Sequence, residues 1–180
     1  MIVRNEAAVI GRCLASCHDL IDYWVICDTG STDGTQELIG RALDGIPGEL
    51  HETAWIHFGH NRTELMRLAR QKAEYLLLID ADMTIVRAGS LPLLSADSYM
   101  LRQGDQTFAY RNKRLLRGDL GWRYVGSTHE FVECIDPERA SENLDSLVIE
   151  HHGDGGSREH KFERDRGLLE AELREDPSNR

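Results

Sequence analysis

The sequence predicts an α/β fold in which a mainly parallel sheet carries helices on both faces. In the first half of the chain, short apolar segments alternate with helical patterns, as is typical of parallel strands joined by crossover helices. Polar clusters follow three of these apolar segments. Because ligands bind outside the carboxyl ends of strands in such sheets, we expect one ligand site where these clusters meet.

Four strands and three helices are expected in the first half. The helix that begins near Glu6 has an apolar stripe at spacings of three and four, which includes Cys13 and Cys17. Asp33, followed three residues later by Gln36, predicts a capping box for the second helix. The predicted strands are 1–3, 23–27, 49–56 and 76–79, and the predicted helices are 6–18, 35–43 and 61–73.

The second half changes to strands that pair without intervening helices. An Asp/Gly hairpin signal at Gly104 and Asp105 predicts that residues 98–103 pair with 107–116. The Gly-rich and aromatic segment 118–128 is expected to be a loop, with further strands at 130–134 and 147–152. A helix over 157–175 is expected to turn its apolar side chains inward: Phe162, Leu168, Leu169 and Leu173.

Composition excludes several classes of partner. The chain has 180 residues, a formal net charge of -10 and a pI near 5.2, which argues against nucleic-acid binding and against a basic membrane patch. No apolar run has the length of a transmembrane segment, and the N-terminus lacks a signal-peptide core. Four cysteines without zinc-ribbon spacing indicate a reduced, cytoplasmic compartment. For Cys13 and Cys17, core packing is favoured over metal binding.

Asp80 and Asp82 directly follow the apolar run 76–79. A buried strand that ends in two carboxylates needs a partner for their charge, since an unpaired buried charge is costly. One interpretation is a divalent cation held jointly with phosphate oxygens. The alternative is that the two side chains cap the next helix or lie in solvent.

The loop 29–35 also has two interpretations. Its glycines and hydroxyl side chains could bind phosphate at a helix N-terminus, or could serve only to cap the helix. The spacing of Gly30 and Gly34 matches neither a dinucleotide fingerprint nor a Walker loop. We expect Thr32 and Asp33 to hold the loop and Asp28 to face a ligand.

Six motifs, taken together and in this order, resemble those of family 2 glycosyltransferases with the GT-A fold. They resemble most the branch whose catalytic domain is often followed by tetratricopeptide-like helices. The motifs are MIVRNE (1–6), CDTGSTDGT (27–35), FGHNRTE (58–64), DAD (80–82), THE (128–130) and IEHHG (149–153).

The resemblance implies one GT-A domain, with a Rossmann-like, mainly parallel sheet and a mixed-strand acceptor half. Residues 1–95 would bind the nucleotide-sugar, 96–156 the acceptor, and 157–180 would form a C-terminal helix that could lead to a helical-repeat region. The donor half would bind a nucleotide-diphosphate sugar, most simply a UDP-sugar. The nucleotide contacts implied are Val3, Asn5, Glu6, Asp28, Gly30, Arg62, Asp80 and Ala81.

The resemblance also implies a metal site and a reaction. Asp80 and Asp82 match the family's D-x-D motif, which binds Mn²⁺ or Mg²⁺ across the diphosphate, and His151, rather than His152, would complete the shell. Such enzymes invert the anomeric carbon by direct displacement, so the acceptor needs a base. Glu130 is the first candidate for this base and His129 the second. Alternatively, Glu130 only orients a loop or pairs with an arginine.

The implied acceptor is a glycan, a peptide or a lipid-linked sugar. Trp122 and Tyr124 could stack on a sugar ring or form a hydrophobic plug. Two other functions remain as alternatives. One is a catalytically silent nucleotide-sugar-binding domain within a larger protein, and the other is a nucleotidyltransferase. The last is disfavoured because no glycine-rich basic loop follows the first strand.

Overall fold

The computed structural model describes residues 1–105, 107–137, 140–156 and 161–175. It shows a mixed α/β fold with strands and helices in the alternating order that the first half predicts. The helices are α1 (Ile10–Cys17), α2 (Thr35–Ala42), α3 (Phe58–Ala69) and α4 (Lys161–Glu175). The strands are β1 (Ile2–Val3), β2 (Trp24–Asp28), β3 (Gly48–Glu52), β4 (Tyr75–Leu77), β5 (Met83–Arg87), β6 (Ser98–Gly104), β7 (Ala109–Arg117), β8 (Trp122–Val125), β9 (Phe131–Cys134) and β10 (Ser141–His151).

The first three strands form a parallel sheet in the order β1-β2-β3. Ile26 of β2 packs with α1 and α2, through Ile10 and Ile39, in one apolar cluster. Helix α3 contacts β1 and β2, and its Met66 belongs to a different apolar cluster. The sheet therefore lies between helical layers, as the fold class predicts.

The fourth strand does not extend this parallel sheet, which corrects the prediction of four parallel strands. β4 pairs antiparallel with β7, and the amide of Leu78 donates to the carbonyl of Arg114 at 2.7 Å. The resulting mixed sheet has the order β4-β7-β6-β10-β5. An apolar run shows that a strand is buried, but both parallel and antiparallel neighbours bury it equally well.

Residues 118–128, predicted as a loop, contain β8, which pairs antiparallel with β9. The prediction missed it because glycines flank a segment of only four residues. Trp122 is buried, and its indole N–H donates to the Arg117 carbonyl at 2.9 Å, so this ring is a hydrophobic plug. Tyr124 instead lies beneath the guanidinium of Arg62, with the Cζ atom 5.5 Å from the ring centroid.

The largest apolar cluster joins the two halves of the chain. Cys13 and Cys17 are buried in it, which confirms the core-packing interpretation of both thiols. They pack with side chains from β5, β6, β7 and β10: Met83, Ile85, Leu101, Leu115, Leu144, Leu147 and Ile149. The core of the second half is therefore built partly on a helix of the first half.

The inward apolar face predicted for the last helix is wrong for the described part of α4. Phe162 is 89% exposed, and Leu169 and Leu173 are about half exposed, at 48% and 50%. Leu168 is half-buried, whereas the acidic Asp165 is buried. The first four residues of the predicted helix, 157–160, lie outside the described residues. None of the helices in the described ranges is long and apolar enough to cross a bilayer.

Candidate functional site

One cavity of about 680 Å³ lies between three segments of the chain. These are the carboxyl end of β1, the turn after β4 and the loop after β8. Every site residue predicted from the sequence lines it, except Asp28 and Gly30. Those two line a neighbouring cavity of about 660 Å³, and Thr29 lines both. The predicted residues in the larger cavity are Val3, Asn5, Glu6, Arg62, Asp80, Ala81, Asp82, His129, Glu130 and His151.

Arg62 connects the donor half to the loop that follows β8. From the first turns of α3, its Nη2 lies 2.7 Å from Oδ1 of Asp80, and its Nε lies 2.8 Å from Oε1 of Glu130. Only about 15% of the Arg62 side chain is exposed. Glu130 therefore pairs with an arginine in the structure, and its role as the base stays a prediction.

Asp80 lies between two arginines. Its Oδ2 is 3.5 Å from Nη1 of Arg114, a mostly buried residue of β7. Burial opposes ionisation of Asp80, but the positive charges of Arg62 and Arg114 outweigh it and hold the pKa of this carboxyl well below its usual range. In turn, the pKa of Arg62 is raised despite its burial, chiefly by the charge of Asp80. Asp80 and Arg62 therefore form a charged pair.

Asp82 faces a different partner. Its Oδ2 lies 3.1 Å from Nε2 of His151, the last residue of β10. The neighbouring His152 points elsewhere, with its Nε2 2.9 Å from Oγ1 of Thr84. The structure therefore places the side chain of His151, and not that of His152, beside the carboxylate of Asp82.

The arrangement of Asp80, Asp82 and His151 decides which of them could hold a divalent ion. Among the residues that the structure describes, no group of three or more His, Cys, Asp or Glu side chains is arranged to hold a metal. Asp82 and His151 are adjacent, whereas the carboxylate of Asp80 is engaged with arginines. Mg²⁺ and Mn²⁺ sites often use one or two protein ligands and complete the shell with phosphate oxygens and water. The pair fits an ion shared with a diphosphate.

Glu6 adds a further acidic group to this wall. Burial, together with the nearby carboxylates of Asp82 and Asp33, raises the pKa of Glu6 above its ordinary value. Its Oε2 accepts the amide of Gly156 at 3.0 Å, which partly opposes that rise. The ionised form of Glu6 is therefore less favoured than that of an ordinary glutamate, and a cation nearby would favour it.

The smaller cavity has an unsatisfied acceptor at its base. Asp28 is fully buried, and its Oδ1 accepts the amides of Gly30 and Ser31, both at 2.7 Å. Its Oδ2 is buried without a hydrogen-bond partner among the described residues. Gly30 has φ of +106°, a backbone conformation that favours glycine. The turn therefore holds a carboxylate oxygen that lacks a donor.

Hydrogen bonds to residues 5 and 7 hold the loop 29–35 in place. The Asn5 amide donates to Ser31 Oγ, and Asn5 Oδ1 accepts the Thr32 amide, both at 2.9 Å. Asp33 binds the amides of Ala7 and Thr35. It is not the cap of α2, whose N-cap position is Gly34 without a side-chain hydrogen bond. The predicted capping box is therefore wrong, although Asp33 holds the loop.

Backbone strain also concentrates at the cavity. In the described residues, the non-glycine residues with positive φ are Asn5 (54°), Gln71 (63°) and His129 (53°), and two of them line the cavity. Such conformations persist where the surroundings over-determine them, which is common at functional sites.

The lining residues that the sequence did not single out include Gln103, Tyr110, Arg114 and Asp165. The first three lie on β6 and β7, where the alternation of strand residues predicts a face but not which face meets the donor half. An arginine directly before the buried Leu115 and Leu116 is a weak signal that it too is buried. Asp165 was missed because the inward face of α4 was predicted to be apolar.

The fold and the site together define an α/β protein of the GT-A type, with its polar cavity at the carboxyl ends of the strands. The sequence profile described as glycosyl transferase family 2 matches residues 1–94, and the chain belongs to this family. The chain is also similar to a TPR repeat-containing protein of Synechococcus elongatus, with 29% identity over 200 aligned positions. That alignment covers 99% of this chain and 48% of the relative, so the chain spans about half of the relative's length.

Proposed function

We propose that this chain is the catalytic domain of an inverting, metal-dependent glycosyltransferase that uses a nucleotide-diphosphate sugar, with a UDP-sugar as the preferred donor. The observation that carries the proposal is the placement of a candidate metal pair, an arginine and a candidate base around one cavity. These are Asp82 with His151, Arg62, and Glu130. The family supports glycosyl transfer in general, and the cavity supports these finer statements.

The smaller cavity bears on which nucleobase the donor carries. The unpaired Oδ2 of Asp28 is a buried acceptor that a ligand N–H would satisfy, and leaving it unpaired costs about 1–3 kcal/mol. Uracil and thymine offer such a group at N3 and guanine at N1, whereas the N3 of neutral cytosine is an acceptor, so this contact favours a UDP-sugar over a CDP-sugar and the donor panel decides among the rest. Thr29 lines both cavities, so they adjoin each other. A nucleobase bound at Asp28 would therefore direct its diphosphate toward Arg62 and Asp82.

The reaction breaks the bond between the anomeric carbon and the diphosphate oxygen and forms a bond to the acceptor. A bound divalent ion would supply Lewis-acid stabilisation of the departing diphosphate. Arg62 provides a fixed positive charge for the same group, since its pKa is raised well above physiological pH. Glu130, on the strained loop beside His129, accepts the proton of the acceptor hydroxyl. The glycan, peptide or lipid-linked acceptor remains a prediction.

The test measures release of nucleoside diphosphate from a panel of UDP-, GDP- and dTDP-sugars, with and without Mn²⁺, with water as the acceptor. We expect Mn²⁺-dependent release from a UDP-sugar and a loss of about 100-fold or more in Asp82→Asn, because a metal contact is removed. Asp145→Asn, an exposed aspartate paired with Arg111, is the matched control and should behave as wild type. Absence of metal-dependent release from every donor would contradict the enzyme proposal.

One observation favours a second candidate, a silent nucleotide-sugar-binding domain. Oε1 of Glu130 lies 2.8 Å from Nε of Arg62, so the carboxylate already has a partner within the chain. The two candidates differ in the behaviour of Glu130→Gln. If the chain is an enzyme, this variant loses transfer but keeps its affinity for UDP-sugar and Mn²⁺ in calorimetry. A wild-type chain that binds donor without any turnover would support the silent domain instead.

A further inference from the structure

We propose that Arg114 is a positioning residue for glycosyl transfer. It holds Asp80 in place from the acceptor half, and Gln103 and Tyr110 in turn hold Arg114. This inference rests on the proposed function and assigns different roles to the two buried arginines. Arg62 would turn from Asp80 and Glu130 to the diphosphate, whereas Arg114 stays with Asp80.

A chain of hydrogen bonds fixes the Arg114 side chain. Its Nε donates to Oε1 of Gln103 at 2.7 Å, and Nε2 of Gln103 donates to the Tyr110 hydroxyl at 3.0 Å. Arg114 is 7% exposed and Gln103 only 2% exposed. A planar guanidinium held at Nε has little freedom to reorient.

Arg114 also fixes the backbone that leads to Asp80. Its carbonyl accepts the amide of Leu78 at 2.7 Å, two residues before the aspartate, while its Nη1 lies 3.5 Å from Asp80 Oδ2. One residue of β7 therefore sets both the path of the main chain and the charge that faces the carboxylate.

Donor binding would require Arg62 to turn toward the diphosphate, whereas Arg114 would keep its position. Arg62 is shared between Asp80 and Glu130, so turning toward a diphosphate would weaken both ion pairs. A buried carboxylate that loses its only counter-charge becomes costly. Arg114 prevents that loss, because the hydrogen-bonded chain of Gln103 and Tyr110 in the acceptor half holds it in place beside Asp80. Asp80 thus stays oriented while Arg62 is recruited.

The test is a double-mutant cycle with Arg114→Lys and Asp80→Asn, read as turnover of UDP-sugar and as UDP affinity in the presence of Mn²⁺. Lysine keeps the charge but cannot bind Gln103 and Asp80 together in the same geometry. We expect Arg114→Lys to lower turnover by about 10- to 100-fold with a much smaller change in the donor KM. The double variant should be no worse than Asp80→Asn alone, because the residues act as a unit. Losses that multiply independently would overturn the proposal.

Arg111→Lys is the matched control, because it lies on the same strand with an exposed side chain paired to Asp145. It should retain wild-type turnover. If Arg114→Lys does not fold, as judged by thermal unfolding, the cycle is repeated with Tyr110→Phe, which removes only the hydroxyl that Gln103 binds. Coupling between Tyr110→Phe and Asp80→Asn supports the proposal, and independent effects overturn it.

The affinity measurement separates this inference from the proposed function. If the wild-type chain binds UDP but turns over no donor, glycosyl transfer fails as the function. The cycle is then read on UDP affinity alone. Coupling of Arg114 with Asp80 in that measurement would still support the positioning role in a binding domain, and its absence would overturn it.

Discussion

At the scale of single residues, the site depends on buried charges that neutralise one another. Asp80, Arg62, Arg114 and Glu130 form a compact network at distances of 2.7 to 3.5 Å. Removing one member of such a network leaves an uncompensated charge, which costs more than the pair itself contributes. A substitution at one of these side chains therefore changes the charge balance of the others.

Gly59 is a residue whose small size positions the candidate base. A Cβ atom built there would overlap the carbonyl oxygen of Gly126, in the loop that leads to Glu130. We expect Gly59→Ala to lower the free energy of unfolding by about 1–3 kcal/mol, because backbone must move to relieve the overlap. Urea denaturation measures this. Turnover should also fall, since the displaced loop carries Glu130.

Gly40→Ala is the matched control for this prediction. Gly40 lies inside α2 with nothing within 4 Å of a built Cβ atom. Alanine at an exposed helix position is favoured over glycine by about 0.5–1 kcal/mol, so this variant should be more stable than wild type. Equal stability changes in the two variants would contradict the steric argument.

At the scale of elements, β7 connects the two halves of the chain. It pairs with β4 from the donor half and with β6 from the acceptor half. The same strand carries Arg114 into the cavity. Among the described strands, β3 lies at the edge of the first sheet. A polar cluster, rather than a further strand, holds it in place.

This polar cluster centres on Glu49 of β3. Its Oε1 accepts from Lys72 Nζ at 2.5 Å and from the Tyr23 hydroxyl at 2.6 Å, and its Oε2 lies 2.8 Å from His51 Nε2. The hydrogen bonds from Lys72, Tyr23 and His51 lower the pKa of Glu49 to about 2. The carboxylate therefore joins β3 to the residues that precede β2 and follow α3.

The lowered pKa gives the cluster a defined pH dependence. The carboxylate stabilises the fold fully above its ordinary pKa of 4.5, and this contribution disappears as the pH falls toward about 2. Glu49→Gln should therefore lower the melting temperature at pH 7 and converge with wild type between pH 4.5 and pH 2. Glu74→Gln, at an exposed position, is the control. A stability difference that persists unchanged at pH 2 would contradict this assignment.

At the scale of the whole molecule, the two halves share one core. Met83 and Ile85 of the first half pack against Leu101 and Ile149 of the second, and β5 is paired only with β10 in the described sheet. A functional division near residue 95 is therefore not a division of the hydrophobic core.

Residues 1–95 expressed alone should fail to fold cooperatively, although they contain the whole matched family segment. Without β7 and β10, strands β4 and β5 lose their hydrogen-bond partners and a large apolar surface is exposed. Thermal unfolding followed by circular dichroism measures this, with the 180-residue chain as reference. A sharp transition and dispersed amide signals from the fragment would show that the first half is an independent unit.

The sequence alone determined the local content of the site. The strand ends, the loop 29–35 and the pair Asp80 and Asp82 were readable, because strand alternation and turn chemistry act over a few residues. His151 came instead from the resemblance to a family. The same local signals predicted the first three strands, the hairpin of the second half and the burial of Cys13 and Cys17. Their boundaries shifted by several residues, because helix and strand ends depend on packing.

Only the tertiary structure decided which partners these residues meet. The apolar run before Asp80 indicates burial, but its pairing with β7 instead of β1 is a choice between distant segments. The assembled fold also brings Arg114 to Asp80 and Arg62 to Glu130. The members of these pairs lie 34 and 68 positions apart in the chain. Hydrogen bonds and ion pairs between distant segments form only when the whole sheet is assembled, so no local pattern can specify them.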